Sequence, residues 1–158
     1  MFFLKKPEYK FLTLFIPLII LWFFFYQYLY KIDNLLNFEV DFLITFSHFL
    51  SKQSNYLLHL LNFNTSIEIN GDMVITRILN YPYNHGVWIG EPCNGIKVFG
   101  VFSIFVLSFN GNIYNKLWFI PLGVLILHIL NVVRVSILTY ISAVNPYILD
   151  FNHNISFQ

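Results

Sequence analysis

Charge is what this chain has least of. Only 11% of its 158 residues are Asp, Glu, Lys or Arg, against roughly 25% in soluble domains, too few to cover a water-facing surface. The formal net charge is +1 and no basic stripe occurs, which excludes nucleic acid as a partner. One cysteine, Cys93, rules out an internal disulfide framework. No paired metal-ligand spacing appears, so neither a metal nor another cofactor is expected. Internal repeats and low-complexity tracts are also missing. What fills the chain is apolar: 57% hydrophobic and 20% aromatic residues, with a mean hydropathy of +0.63. That composition belongs to an integral membrane protein. The expected fold is an all-α polytopic membrane domain, 1–158, with interfacial helices and a small outer β-hairpin.

Lys5, Lys6 and Lys10 precede an uncharged run over 11–30. At ~1.5 Å per residue this run covers the ~30 Å hydrocarbon core. The lysines place the N-terminus in the cytoplasm by the positive-inside rule. A bulky "YQYLYKIDN" follows in place of a small-residue cleavage site, so the run reads as a retained anchor and not as a cleaved signal peptide. The more polar stretch 31–92 then lies outside. Within it Leu43, Phe46, Leu50, Leu57 and Leu61 recur at helical spacing, with Ser47, Lys52 and Asn55 between them, as in one or two amphipathic interfacial helices. Two β-branched runs flank Asn70-Gly71, a pair favoured in type I′ turns, and predict the hairpin. "NYPYNHG" breaks structure before the cysteine. The second span is expected over 93–110, a polar turn at "NGNIYNK" follows, and the third span covers 117–144. Asn145-Pro146 stops it, and the tail 145–158 returns outside.

On this topology Cys93 stands at the outer end of the second helix. Arg134, about 25 Å along the third, reaches the outer third of the bilayer, and His153 follows on the same side. Pro92 suits a helix's first turn, where its missing N–H costs nothing. Cys93 in that turn would feel N–H groups and a helix dipole that favour a thiolate. Lys97, at i+4, can add its charge, while Glu91 opposes it. The bland alternative is a small packed hydrophobe, although a free thiol in an oxidising compartment is a liability unless used or hidden. An arginine inside an apolar helix costs ~2.5–3.5 kcal/mol at the bilayer centre. Asn131 and His128 lie one and two turns below Arg134 and extend a polar stripe. The bland alternatives are a snorkelling arginine and, for His128, a structural hydrogen-bond partner. His85 is the rival to His153 for any acid/base role.

"EPCNGIKVF", "NVVRVS" and "FNHNISF" resemble, in that order, the Cys, Arg and His motifs of the exosortase/archaeosortase family, and the wording "IGEPCNGI" resembles its short Bacteroidetes-type members. The resemblance runs from Trp88 to Phe157. It implies a membrane cysteine protease/transpeptidase that processes exported proteins bearing a C-terminal sorting tail, made of a short motif, a transmembrane helix and a basic cluster. Cys93 would form a thioester, Arg134 would stabilise the oxyanion and His153 would protonate the leaving amine; Lys97 and Asn131, placed beside them by the helix spacing above, are the supporting groups. The implied location is the bacterial inner membrane, with the site facing the periplasm and lipids as the other partner. Two features depart from the pattern: members continue into another spanning helix, so either the chain is truncated after Gln158 or the enzyme has one helix fewer, and Asn154 stands where a second histidine is expected. The residues leave open the substrate motif, the nucleophile that resolves the thioester (water, or an anchoring amine or glycan) and the oligomeric state. A non-catalytic or degenerate subunit that binds a partner helix or lipid is the rival reading. A small transporter fits less well, because the polar groups gather at one face.

Overall fold

The computed structural model describes residues 7–36, 42–70, 73–82, 86–90 and 93–145, with the side chains of the first helix described over 9–28. In chain order the elements are α1 (Pro7–Leu36), α2 (Phe42–Leu60), β1 (Thr65–Asn70), β2 (Met73–Ile78), β3 (Gly86–Ile89), α3 (Ile96–Ser108) and α4 (Ile113–Val144). Among the described residues two helices are long and apolar enough to cross a membrane: α1, through Tyr9–Tyr28, and α4. Only 6% and 17% of those stretches are buried, whereas the core helix of a water-soluble fold would be mostly covered. Helix α3 is shorter, at 13 residues. The described residues form two compact units, one of α1, α3 and α4 through His128, the other of α2, the sheet and α4 from Ile129.

In the first unit, aromatic rings join α1 to α3. Phe11 and Phe109 have centroids 4.8 Å apart, and Phe105 meets Phe109 edge-on at 4.9 Å. Gly100 lets α3 approach Trp22, since a Cβ there would stand inside the indole. Gly100→Ala is therefore expected to destabilise the detergent-solubilised protein by about 1–3 kcal/mol, read as a lower thermal midpoint. An unchanged midpoint would mean that the two helices do not pack this closely. The connection from α3 to α4 has its own local chemistry. Asn112 Oδ1 accepts the Tyr114 N–H at 3.1 Å and caps the start of α4. Lys116 Nζ donates to the carbonyls of Leu107, at 2.8 Å, and of Phe109, satisfying groups that the end of α3 leaves without helical donors. The helix accordingly starts at Ile113, four residues ahead of the expected 117, because this cap recruits the polar segment.

The second unit is built on an antiparallel sheet ordered β1-β2-β3. The expected hairpin is present, but Asn70 pairs with Met73. The connection is thus 71–72, which lie outside the described residues, and Asn70 belongs to the strand. A third strand, β3, pairs Val74 with Ile89 and Thr76 with Val87, where the sequence pattern predicted only a break before the cysteine. Residues 83–85, with His85, lie outside the described residues.

Among the described residues the leucine pattern through Leu57 falls on one helix, α2, and its inner face differs from that pattern. Leu43 and Leu50 are buried as expected, but the rest of that face is Ser47, Ser51, Ser54 and Leu58, while Leu61 is exposed. The serines turn inward because they are small and find partners. Ser51 Oγ bonds Thr76 Oγ1 at 2.6 Å on β2, and Ser54 Oγ bonds Ser136 Oγ at 2.8 Å on α4. Two apolar clusters complete the core: Leu50 with Ile89 and Val135, and Leu58 with Ile78 and Ala143.

Candidate active site

Strand β3 ends at Ile89, which is fully buried. The Cys93 N–H then donates to the Gly90 carbonyl at 3.0 Å and closes a turn. Gly95 follows with φ 87 and ψ −4, a left-handed conformation that glycine adopts without steric cost. This residue interrupts helical geometry, so α3 begins at Ile96. Cys93 consequently stands in the turn ahead of the helix, and the expectation that it occupies the first helical turn is corrected. Glu91 and Pro92 lie outside the described residues.

The turn rests on α4. Asn131 and Arg134, three residues apart, share a helix face. Asn131 Nδ2 donates to the carbonyls of Cys93 and Asn94, at 3.1 Å each. Arg134 Nη2 donates to the Cys93 carbonyl at 3.1 Å, a charge-assisted bond. Asn131 is 9% exposed and Asn94 is fully buried, while Arg134 is exposed. The half-buried Cys93 side chain packs against the cluster of Leu50, Ile89 and Val135, beside Val87 and Val132. The thiol thus packs on an apolar wall, while an amide and a guanidinium of α4 hold the backbone of its residue.

The structure therefore unites Cys93, Asn131 and Arg134 from two distant parts of the chain. Lys97 has its ammonium 4.9 Å above the Tyr26 ring. The His128 ring lies edge-on to Phe99, with centroids 6.2 Å apart. His153 and Asn154 lie outside the described residues. Among the described residues no cluster of His, Cys, Asp or Glu could hold a metal ion. Sequence reasoning missed Asn94, whose backbone carbonyl shares the Asn131 amide. The only signal was its place between the cysteine and a glycine. It also missed β3, whose "GVWI" is a short β-branched and aromatic run.

A family model described as transmembrane exosortase matches residues 7–156. The chain belongs to the transmembrane exosortase family. It is accordingly a membrane protein, of a family with a transpeptidase-type role towards exported proteins that carry sorting signals. No curated protein and no solved structure gives a match. In this exosortase the cysteine and the arginine stand 41 residues apart in sequence and meet through one carbonyl.

Proposed function

We propose that this exosortase is a cysteine transpeptidase of the bacterial inner membrane, with α1, α3 and α4 as its spanning helices and its site facing the periplasm. Its substrates are exported proteins with a C-terminal sorting tail. The observation that carries this reading is the contact of the Arg134 guanidinium with the backbone of Cys93 itself. One of the five N–H donors of an arginine is committed there. Helix α3 covers about 20 Å, so the turns at its two ends would sit in the headgroup layers, with Lys97 reaching outward.

In the proposed reaction the Cys93 thiolate attacks the scissile carbonyl carbon and the C=O electron pair moves onto oxygen. Arg134 stabilises that oxyanion. As the tetrahedral intermediate collapses, the C–N bond breaks and the leaving amine takes a proton from His153, or from His85 in the alternative assignment. The resulting thioester passes its acyl group to water or to an anchoring amine or glycan acceptor, and the thiol is regenerated.

A non-catalytic subunit is the second reading. It is favoured by the same bond, because an arginine that ties down a turn has a structural use. One experiment separates the two. A tailed exported protein is co-expressed with this chain and its gel mobility is followed, with and without a membrane-impermeant thiol reagent added from outside. The transpeptidase reading expects a processed band that needs the chain and disappears with the reagent. Processing that survives full modification of Cys93 would exclude the thioester, and a complete absence of processing would favour the subunit.

A further inference from the structure

We infer that Asn131 is a positioning residue for Cys93, holding the peptide planes on the C-terminal side of both Cys93 and Asn94 through a single carboxamide. This rests on the cysteine reading above. The carbonyls of Cys93 and Asn94 both meet Nδ2 of Asn131, at 3.1 Å each. Consecutive carbonyls of an extended chain alternate in direction. Two that converge on one point bring like partial charges together and need a shared donor. A carboxamide NH₂ suits that need, because it carries two hydrogens and no charge. Burial makes the contact matter: Asn131 is 9% exposed and Asn94 is 0% exposed, so water is a poor substitute for the lost amide donor.

Arg134 adds a bond to Cys93 O but is exposed, and no bond from it to Asn94 O is present among the described residues. Asn131 is thus the α4 side chain that reaches both planes. Those planes set the direction of the Cα–Cβ bond of Cys93 and with it the reach of the sulfur. Val132 and Val135, the neighbouring residues of α4, belong to the apolar wall against which Cys93 packs. One helical turn of α4 therefore holds the backbone of the turn and borders its side chain. The asparagine sits three residues before the arginine, a spacing that puts both on one face of the helix.

The sole cysteine of the chain makes the test direct. In membranes containing the full-length chain, the rate of Cys93 alkylation by an impermeant maleimide is measured for the parent, Asn131→Leu, Asn131→Asp and Ser136→Ala. Leucine and aspartate keep the shape of asparagine and remove its amide hydrogens. Ser136→Ala removes a buried bond from the same helix, to Ser54 and not to the turn. Both Asn131 variants are expected to speed alkylation about fivefold or more, as the turn leaves α4 and the half-buried thiol gains access. Ser136→Ala should stay within about twofold, because it loosens a different contact. With a tailed substrate, kcat should fall roughly a hundredfold while KM stays within about threefold, as expected for a displaced nucleophile and an intact binding surface. Alkylation within twofold of the parent in both Asn131 variants would overturn the inference, as would an equal rise in Ser136→Ala. If the parent cleaves no tailed substrate, the transpeptidase reading fails, and the alkylation comparison still decides the role of Asn131.

Discussion

Cys93→Ser is expected to abolish processing of a tailed substrate, with a fall of about a millionfold that places it below detection. The hydroxyl has nearly the shape of the thiol, and the hydrogen bonds that hold the turn engage the backbone of Cys93: its N–H on Gly90 O and its carbonyl under Asn131 and Arg134. The substitution therefore leaves the turn docked and changes only the attacking atom. A serine oxygen is a poor nucleophile unless a strong base takes its proton, whereas a thiol carries a usable fraction of thiolate near neutral pH. The variant should accumulate in membranes at the parent level while the substrate stays at full length. Processing by Cys93→Ser at more than about a hundredth of the parent rate would remove the thiol from the mechanism.

The second largest effect is expected at Arg134. Arg134→Lys keeps the charge and is nevertheless expected to lower the processing rate about 10²- to 10³-fold, the usual cost of losing one oxyanion donor. A guanidinium is planar and can place one N–H on Cys93 O while others of the same fork point to the developing oxyanion. An ammonium on a flexible stem is a point charge and cannot hold both directions at once. The loss should fall on kcat more than on KM, because the oxyanion exists only after attack. A lysine variant within threefold of the parent would mean that positive charge alone suffices, and Arg134 would then be a tether for the turn and not a fork. Measuring maleimide alkylation of Cys93 in the same variant separates the two losses. A loosened turn speeds labelling, and a lost oxyanion donor does not.

Much of the site was legible because its chemistry is expensive. An arginine within an apolar helix is costly enough to need a reason, and a lone thiol at a polar–apolar boundary is conspicuous in a chain this poor in polar groups. Their meeting is a tertiary outcome: the Arg134 guanidinium bonds the carbonyl of Cys93, 41 residues away in the chain. Helix α4 ends at Val144, as Asn145-Pro146 implied, because a residue before proline is driven out of helical geometry. The start of α3 was misjudged because Pro92 is a good first helical residue, and nothing local to it reveals that Gly95 turns left-handed. Helix α2 was misread for a different reason. The leucine spacing puts Ser47 on the polar side, but Ser47 is buried, and Ser51 and Ser54 beside it bond to Thr76 and Ser136, partners 25 and 82 residues away.

By itself the sequence determined the apolar solvent, the two long helices and the identity of the costly polar groups, because hydropathy and helix length act within one segment. Only the tertiary structure decided which face of α2 is buried, that β3 joins the sheet, and that one amide on α4 meets two carbonyls of the cysteine turn. Those outcomes depend on whether a buried polar group finds a partner far along the chain. A hydroxyl or carbonyl pays the same desolvation cost wherever it is buried, so the position of its partner alone makes burial stable.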